Sequence, residues 1–467
     1  MDTIAPKTPA TLPFAAWQAM PPAEAAREVH RRLTALPANL RQAALAWVRP
    51  ERELAAELAM FPPVGACLQA TSASGIACKQ APTLSSPLRG IPYFLKDLYD
   101  LANVPTNAGS TFLDQARGRP VADSAIVRRL GGLGAACAGK THLVEFAAGL
   151  FGDNAHYGDC PHPHFPDRLS GGSSSGSAAL VATGVVPLAI GSDTGGSVRL
   201  PAAFCGLYGF RLRPGDELIR DAMPLSPSMD TAGWFTANAA DMLTTWKAMA
   251  AGRANRPDEP ARPEDSPYPL SAEPRGCYLP ARSLGIPFDT DTAAACDRAA
   301  AAFAGPAGTD TTTALLASWQ DAIEAYTVTA LSEANKVHRD WLAPYHEHYE
   351  PGIWQRFSDG GTYTRDQLAR AAAVIAAVRV TWRQFFADQD FLVLPCAPFP
   401  ALRKAGCTPE ARKQILTLTA PASLGGLPVL TLPVSLRSGL TAGLQVILPA
   451  ADSPVVPWVL NDCSGGL

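Results

Sequence analysis

The stretch Ser170-Gly-Gly-Ser-Ser-Ser-Gly-Ser-Ala-Ala-Leu-Val-Ala-Thr-Gly-Val-Val-Pro-Leu-Ala-Ile-Gly-Ser-Asp-Thr-Gly-Gly-Ser-Val-Arg-Leu-Pro-Ala-Ala-Phe-Cys-Gly-Leu-Tyr-Gly-Phe210 decides the fold. It holds two Gly/Ser loops joined by one apolar helix (SAALVATG) and one buried strand (VVPLAIG). Ser173 and Ser197 stand 24 positions apart, a spacing that lets a helix and a strand turn back and bring the loops together. Adjacent glycines in Asp193-Thr194-Gly195-Gly196-Ser197 admit positive φ and close approach of a ligand to main-chain N–H groups. Several such N–H groups aimed at one point form an oxyanion hole, and a serine ending the loop is placed as a nucleophile that needs a base.

Upstream, 123–135 reads as a helix capped by Asp123, followed by a strand and turn in ACAGKTHLVEF. Residues 23–60 read as helical, broken at Pro50. IPYFLKDLYDL reads as a strand or short buried element carrying Lys96. Downstream, Ala-rich helices are expected at 291–304 and 365–388, and FLVLPCAPFP and LPVLTLPV as late buried strands. This alternation of apolar strands with helices gives an α/β class.

Histidine is the usual base for a serine nucleophile, but near these loops only His156, His162 and His164 occur, in a Pro-rich segment upstream. Lysine serves when burial lowers its pKa. Lys96 follows Ile91-Pro92-Tyr93-Phe94-Leu95; locally it reads either as a surface residue at a strand end or as a buried functional one. A ligand role for the three histidines and a solvent-facing loop both fit the residues, and the loop is the simpler reading. Arg199 is expected to pair with Asp193, with a substrate carboxylate as the other option. Cys205 is expected in the core.

Taken jointly, GIPYFLKD, GGSSSGSA and GSDTGGSVRLPAAFCG, with LGGLPVLTLPV and GLQVIL at 424–448, resemble the amidase signature family, closest to stand-alone amidases of the indole-acetamide hydrolase type. The resemblance implies an α/β fold with a large mixed central β-sheet covered by helices on both faces. It maps the family's lysine onto Lys96, its bridging serine, preceded by a cis peptide bond, onto Ser173, and its nucleophile onto Ser197. It also implies oxyanion N–H groups from Thr194, Gly195, Gly196 and Ser197. The implied activity is hydrolysis of a small-molecule carboxamide through an acyl-Ser197 intermediate, with no cofactor and no metal. One domain over 1–467 is expected. It comprises an N-terminal helical region (20–85), a signature core (88–235), an exposed Pro-rich connection (251–290), a helical, variable substrate region (291–390) and returning C-terminal strands (391–450). The pocket is expected from the 152–169 loop, the segment near 223–235 and parts of the region after 275.

Competing readings are weaker. Gly172-Ser173-Ser174-Ser175-Gly176 matches G-x-S-x-G, which would make Ser174 the nucleophile of an α/β-hydrolase, but PHPHFPDRL before it makes a poor strand and histidines downstream occur only at His338, His346 and His348. Phosphate loops fail for want of GK[ST] or G-x-G-x-x-G, and His346-Glu347-His348 is not H-E-x-x-H. A non-catalytic relative would be expected to lack one of the three residues, and all are present. The A-type subunit of a tRNA-dependent amidotransferase usually continues into a GLKPT-type segment, where this chain has Gly209-Phe210-Arg211-Leu212-Arg213-Pro214.

The composition fits these expectations. The 467 residues are 47% hydrophobic and 17% charged, with a formal net charge of −3. That is an ordinary globular balance that argues against a nucleic-acid partner, which usually needs a basic patch. Ten cysteines form no C-x-x-C pair, and no signal peptide or apolar run of membrane-spanning length is apparent. A cytoplasmic setting, a small-molecule amide as partner and no membrane follow as expectations, with a homodimer left open.

Overall fold

The computed structural model describes residues 11–60, 86–250 and 273–462. They form one mixed sheet of eleven strands in the order β1-β3-β2-β4-β6-β5-β10-β11-β9-β7-β8. In chain order these are β1 (Leu45–Val48), β2 (Pro92–Lys96), β3 (Ala136–Thr141), β4 (Leu188–Asp193), β5 (Tyr208–Arg211), β6 (Thr231–Thr236), β7 (Gly276–Tyr278), β8 (Gly305–Pro306), β9 (Phe391–Pro395), β10 (Val429–Ser435) and β11 (Thr441–Ile447). Strand β2 runs parallel to both β3 and β4, and β7 to β8 and β9; the remaining pairs are antiparallel.

Every residue of β2, β3, β4, β6 and β9 is buried. Consecutive buried residues point to opposite faces of a sheet, so both faces are covered, which explains why β9 (FLVLP) reads as an unbroken apolar run rather than an alternating one. Trp234 of β6 is fully buried and stacks on Phe210 of β5 at 5.1 Å between ring centroids. Burying a side chain of that size is worth about 1.5–3 kcal/mol or more.

Three local expectations are corrected. Leu45–Val48, read as helix from its Ala and Leu content, is an edge strand paired with β3. It lies between the helices Ala38–Ala44 and Glu51–Ala59. Asp123 does not cap the next helix: Ser124 is the N-cap of Ala125–Gly132, while Asp123 Oδ1 accepts from Ala102 N at 2.8 Å. The exposed connection expected over 251–290 falls at 251–272 outside the described residues, and its later part contains β7, whose Cys277 is buried, because Gly276–Tyr278 finds a parallel partner in β9.

The elements that position the site behave as read. The helix Ser175–Ala182 precedes β4. The parallel register Tyr93↔Leu188, Phe94↔Ala189, Leu95↔Ile190 sets the carboxyl ends of β2 and β4 side by side, where ligands bind in open α/β sheets. Among the described residues no helix is long and apolar enough to cross a membrane.

Candidate active site

Lys96 ends β2 and is fully buried. Its Nζ lies 2.7 Å from Ser173 Oγ, 2.8 Å from Ser192 Oγ and 3.0 Å from Ser174 Oγ. Burial pushes its pKa down to about 7, opposed by the negative charges of Asp193 and Asp230. The other fully buried lysine nearby, Lys140, is different: its Nζ sits 2.6 Å from Asp97 Oδ1 and 2.8 Å from Thr106 Oγ1. Lys140 thus has a carboxylate to hold its charge, whereas Lys96 faces three hydroxyls. A buried amine with no carboxylate in direct contact favours the neutral form.

The Gly172–Ser173 peptide bond is cis. The loop that carries it meets the second one through Ser174 N, which donates to Ser197 O at 3.4 Å. Gly191 of β4 permits this approach, since a Cβ there would stand 2.8 Å from Ser174 Oγ. Ser197 itself lines a small cleft bounded by residues 147–150, Leu225, Tyr326, Thr327, Ala330, Leu331, Arg356 and Arg412.

The loop 193–197 is shaped by Asp193. Its buried carboxylate accepts from Gly196 N (2.8 Å), Val198 N (3.0 Å) and Arg199 N (3.2 Å). It also pairs with two buried guanidinium groups, Arg199 Nη2 and Arg211 Nη1, each at 2.9 Å. These partners outweigh the cost of burial and hold the carboxyl well below the usual range. Arg199 therefore has the structural pairing expected of it. The expectation for Gly196 is corrected: its N–H is spent on Asp193, because the turn folds back over its own first residue. Thr194, Gly195 and Ser197 show no hydrogen-bond acceptor for their N–H among the described residues. Thr194 Oγ1 donates to Asp230 Oδ1 at 2.5 Å, and Asp230 Oδ2 accepts from Leu225 N and Ser226 N at 2.8 and 2.9 Å. Burial raises Asp230 to about 6.

The loop histidines are occupied structurally. His156 Nε2 meets Glu145 Oε1 at 3.0 Å. His162 donates from Nε2 to Phe204 O at 2.8 Å while Nδ1 accepts from His164 N and Phe165 N. No cluster able to hold a metal ion occurs among the described residues. His338, a partner considered for Ser174, places Nδ1 2.8 Å from Tyr349 Oη, and Ser174 Oγ donates to Ser192 O at 3.1 Å. Cys205 is buried, as expected.

Sequence reasoning missed Ser192, Asp230, Tyr326, Arg356 and Arg412. Ser192 lies within the decisive stretch, and Asp230 within the 223–235 segment expected to shape the pocket; the other three come from distant helices with no local signal. Of the expected pocket walls, Leu225 and the region after 275 line the Ser197 cleft. The 152–159 residues instead line an adjoining cavity with Asp153, Asn154, Ala155 and Asp159.

A mixed sheet carrying a buried lysine among serines beside a Gly-Gly-Ser loop is the arrangement that the resemblance to amidases implied. The chain belongs to the amidase family, whose model matches residues 64–453. It is 32% identical over 394 residues to AtzE, the 1-carboxybiuret hydrolase component of Pseudomonas sp. (strain ADP), covering 81% of this chain and 82% of that one. It is 30% identical over 394 residues to the A-type subunit of the glutamyl-tRNA(Gln) amidotransferase of Chloroflexus aurantiacus, with 77% and 79% covered. A solved crystal structure of an amidase superposes with a TM-score of 0.76 at 26% identity, covering 97% of this chain and 98% of that one.

Proposed function

We propose that the chain hydrolyses a small primary carboxamide to carboxylate and ammonia, with Ser197 as nucleophile, Ser173 as proton bridge and neutral Lys96 as base. Lys96 Nζ takes the proton of Ser173 Oγ as Ser173 takes that of Ser197 Oγ. Ser197 attacks the amide carbon, and the oxyanion is met by the N–H groups of Thr194, Gly195 and Ser197. The proton returns through Ser173 to the leaving nitrogen, the C–N bond breaks, and water hydrolyses the acyl-serine by the same relay in reverse.

One observation carries this reading: a solvent-excluded amine lies 2.7 Å from Ser173 Oγ and has hydroxyl neighbours where Lys140 has a carboxylate. The oxyanion assignment is supported by Asp193, which fixes the loop from behind so that the remaining donors are set before the charge develops. Ser174 is disfavoured as nucleophile because its hydroxyl is held between Lys96 Nζ and Ser192 O.

The test is ammonia release by the isolated chain from a panel of small amides. Turnover without partner chains supports a stand-alone amidase. Turnover only on addition of amidotransferase partner chains, or none at all, refutes it.

A further inference from the structure

The cleft that exposes Ser197 is apolar along Ala147, Ala148, Leu150, Leu225 and Ala330, yet two arginines also line it. Arg356 lies in the last turn of the helix Pro351–Asp359, and Arg412 in the first turns of Pro409–Gly425. Neither forms an ion pair among the described residues, unlike Arg199 and Arg211 behind the loop. Among the described residues, Arg356 Nε reaches Gly352 O at 3.2 Å, and Arg412 Nε is buried without a hydrogen-bond partner.

The surroundings do not discharge this positive charge. Arg356 is held below its ordinary pKa by burial and then by the charge of Arg412. Glu350 and Asp153 attract it from the adjoining cavity, but Glu350 Oε1 and Oε2 are taken by Gly352 N and Ile353 N at the start of the same helix. Arg412 also stands near a helix N-terminus, where a cation is unfavourable. Two like charges facing one small apolar cleft, one with an unsatisfied donor, are complementary to an anion. Guanidinium groups bind carboxylates bidentately.

We infer that the substrate is an amide bearing a carboxylate, seated between Arg356 and Arg412 with a short aliphatic spacer along the apolar wall. This rests on the amidase reading and names its substrate class. A bound carboxylate would supply the missing acceptor of Arg412 Nε and relieve the repulsion between the guanidinium groups. A neutral amide of the same length leaves both in place.

The experiment compares kcat/KM for succinamate, glutaramate and adipamate with the neutral alkanamides of equal carbon count. The best anionic amide is expected to exceed its neutral counterpart by about 10–100-fold, the range for charge-assisted hydrogen bonds. In Arg412→Met and Arg356→Met that ratio is expected to fall to within a few-fold of parity, chiefly through KM, with Arg412→Lys retaining part of it. Melting curves verify that the variants fold. In the wild type, glutarate is expected to slow fluorophosphonate labelling of Ser197, and pentanol is not. Neutral amides turned over as well as anionic ones at every length, or a ratio unchanged in both Met variants, overturns the inference while leaving the amidase reading intact. Absence of turnover of either series, with no label on Ser197, removes the amidase reading and this inference with it.

Discussion

Lys96 Nζ and Ser173 Oγ stand 2.7 Å apart in a space closed to solvent, with the amine supplied by the end of β2 and the hydroxyl by a loop 77 residues further along the chain. Burial lowers the pKa of the amine to about 7, and a base acts only when deprotonated. The log of kcat/KM is therefore expected to rise with pH through about 7 and level off above it. A profile already flat from pH 5 to 9 argues against Lys96 as the titrating base. Lys96→Met is expected to lower kcat by about 10²–10⁴-fold, the usual contribution of a positioned base.

Asp230 adds to the attraction that keeps this amine protonated. Asp230→Asn removes one negative charge and keeps an acceptor for Leu225 N and Ser226 N. The acidic limb of the rate profile is then expected to move to lower pH, since the amine loses part of the attraction favouring its charged form. A limb that stays put or moves up would show that Asp230 does not act on Lys96.

Gly195 abuts Tyr326: a Cβ at position 195 would fall 2.3 Å from Tyr326 Oη and 2.6 Å from its ring carbon. Gly195→Ala is expected to push the ring into the cleft or distort the loop, with a loss of at least about 10-fold in kcat/KM, on the scale of one misplaced oxyanion donor. Pairing it with Tyr326→Ala is expected to recover part of the loss. Near wild-type kinetics in the single variant would mean that this loop is slack.

Asp193 acts on stability as well as on the loop. Asp193→Asn leaves two buried guanidinium groups without their countercharge, a change that costs about 3–5 kcal/mol for a buried pair broken on one side. The folded pKa lies well below the unfolded value, so the carboxylate's contribution is fully present above pH 4 and is lost as pH falls through the folded pKa. Chemical denaturation at pH 7 measures the first; a variant as stable as the wild type would contradict it.

The sequence read alone reached the α/β class and the strands β2, β3, β4, β9 and β10, because apolar runs mark strands buried on both faces, but not β5 and β6, which lie between β4 and β10; the three residues of the proposed relay came from the family resemblance that the Gly/Ser loops carry in combination. It misread Leu45–Val48, where Ala and Leu favour helix but a free edge of β3 offers a partner. The resemblance implied an outward Gly196 N–H, and nothing local shows that Asp193 turns back three residues to take it. Ser192 lay in plain view, but its approach to Lys96 depends on the parallel register of β2 and β4. Tyr326, Arg356 and Arg412 enter the cleft from separate helices, so only tertiary packing brings them to Ser197.

Fluorophosphonate labelling followed by mass analysis tests the proposed relay most directly. The tryptic peptide Leu169–Arg199 carries Ser173, Ser174 and Ser197 together, so fragment ions must locate the adduct. The expected result is an adduct on Ser197 in the wild type, none in Ser197→Ala, and slow labelling in Lys96→Met. An adduct on Ser174, or undiminished labelling of Ser197→Ala, contradicts the assignment.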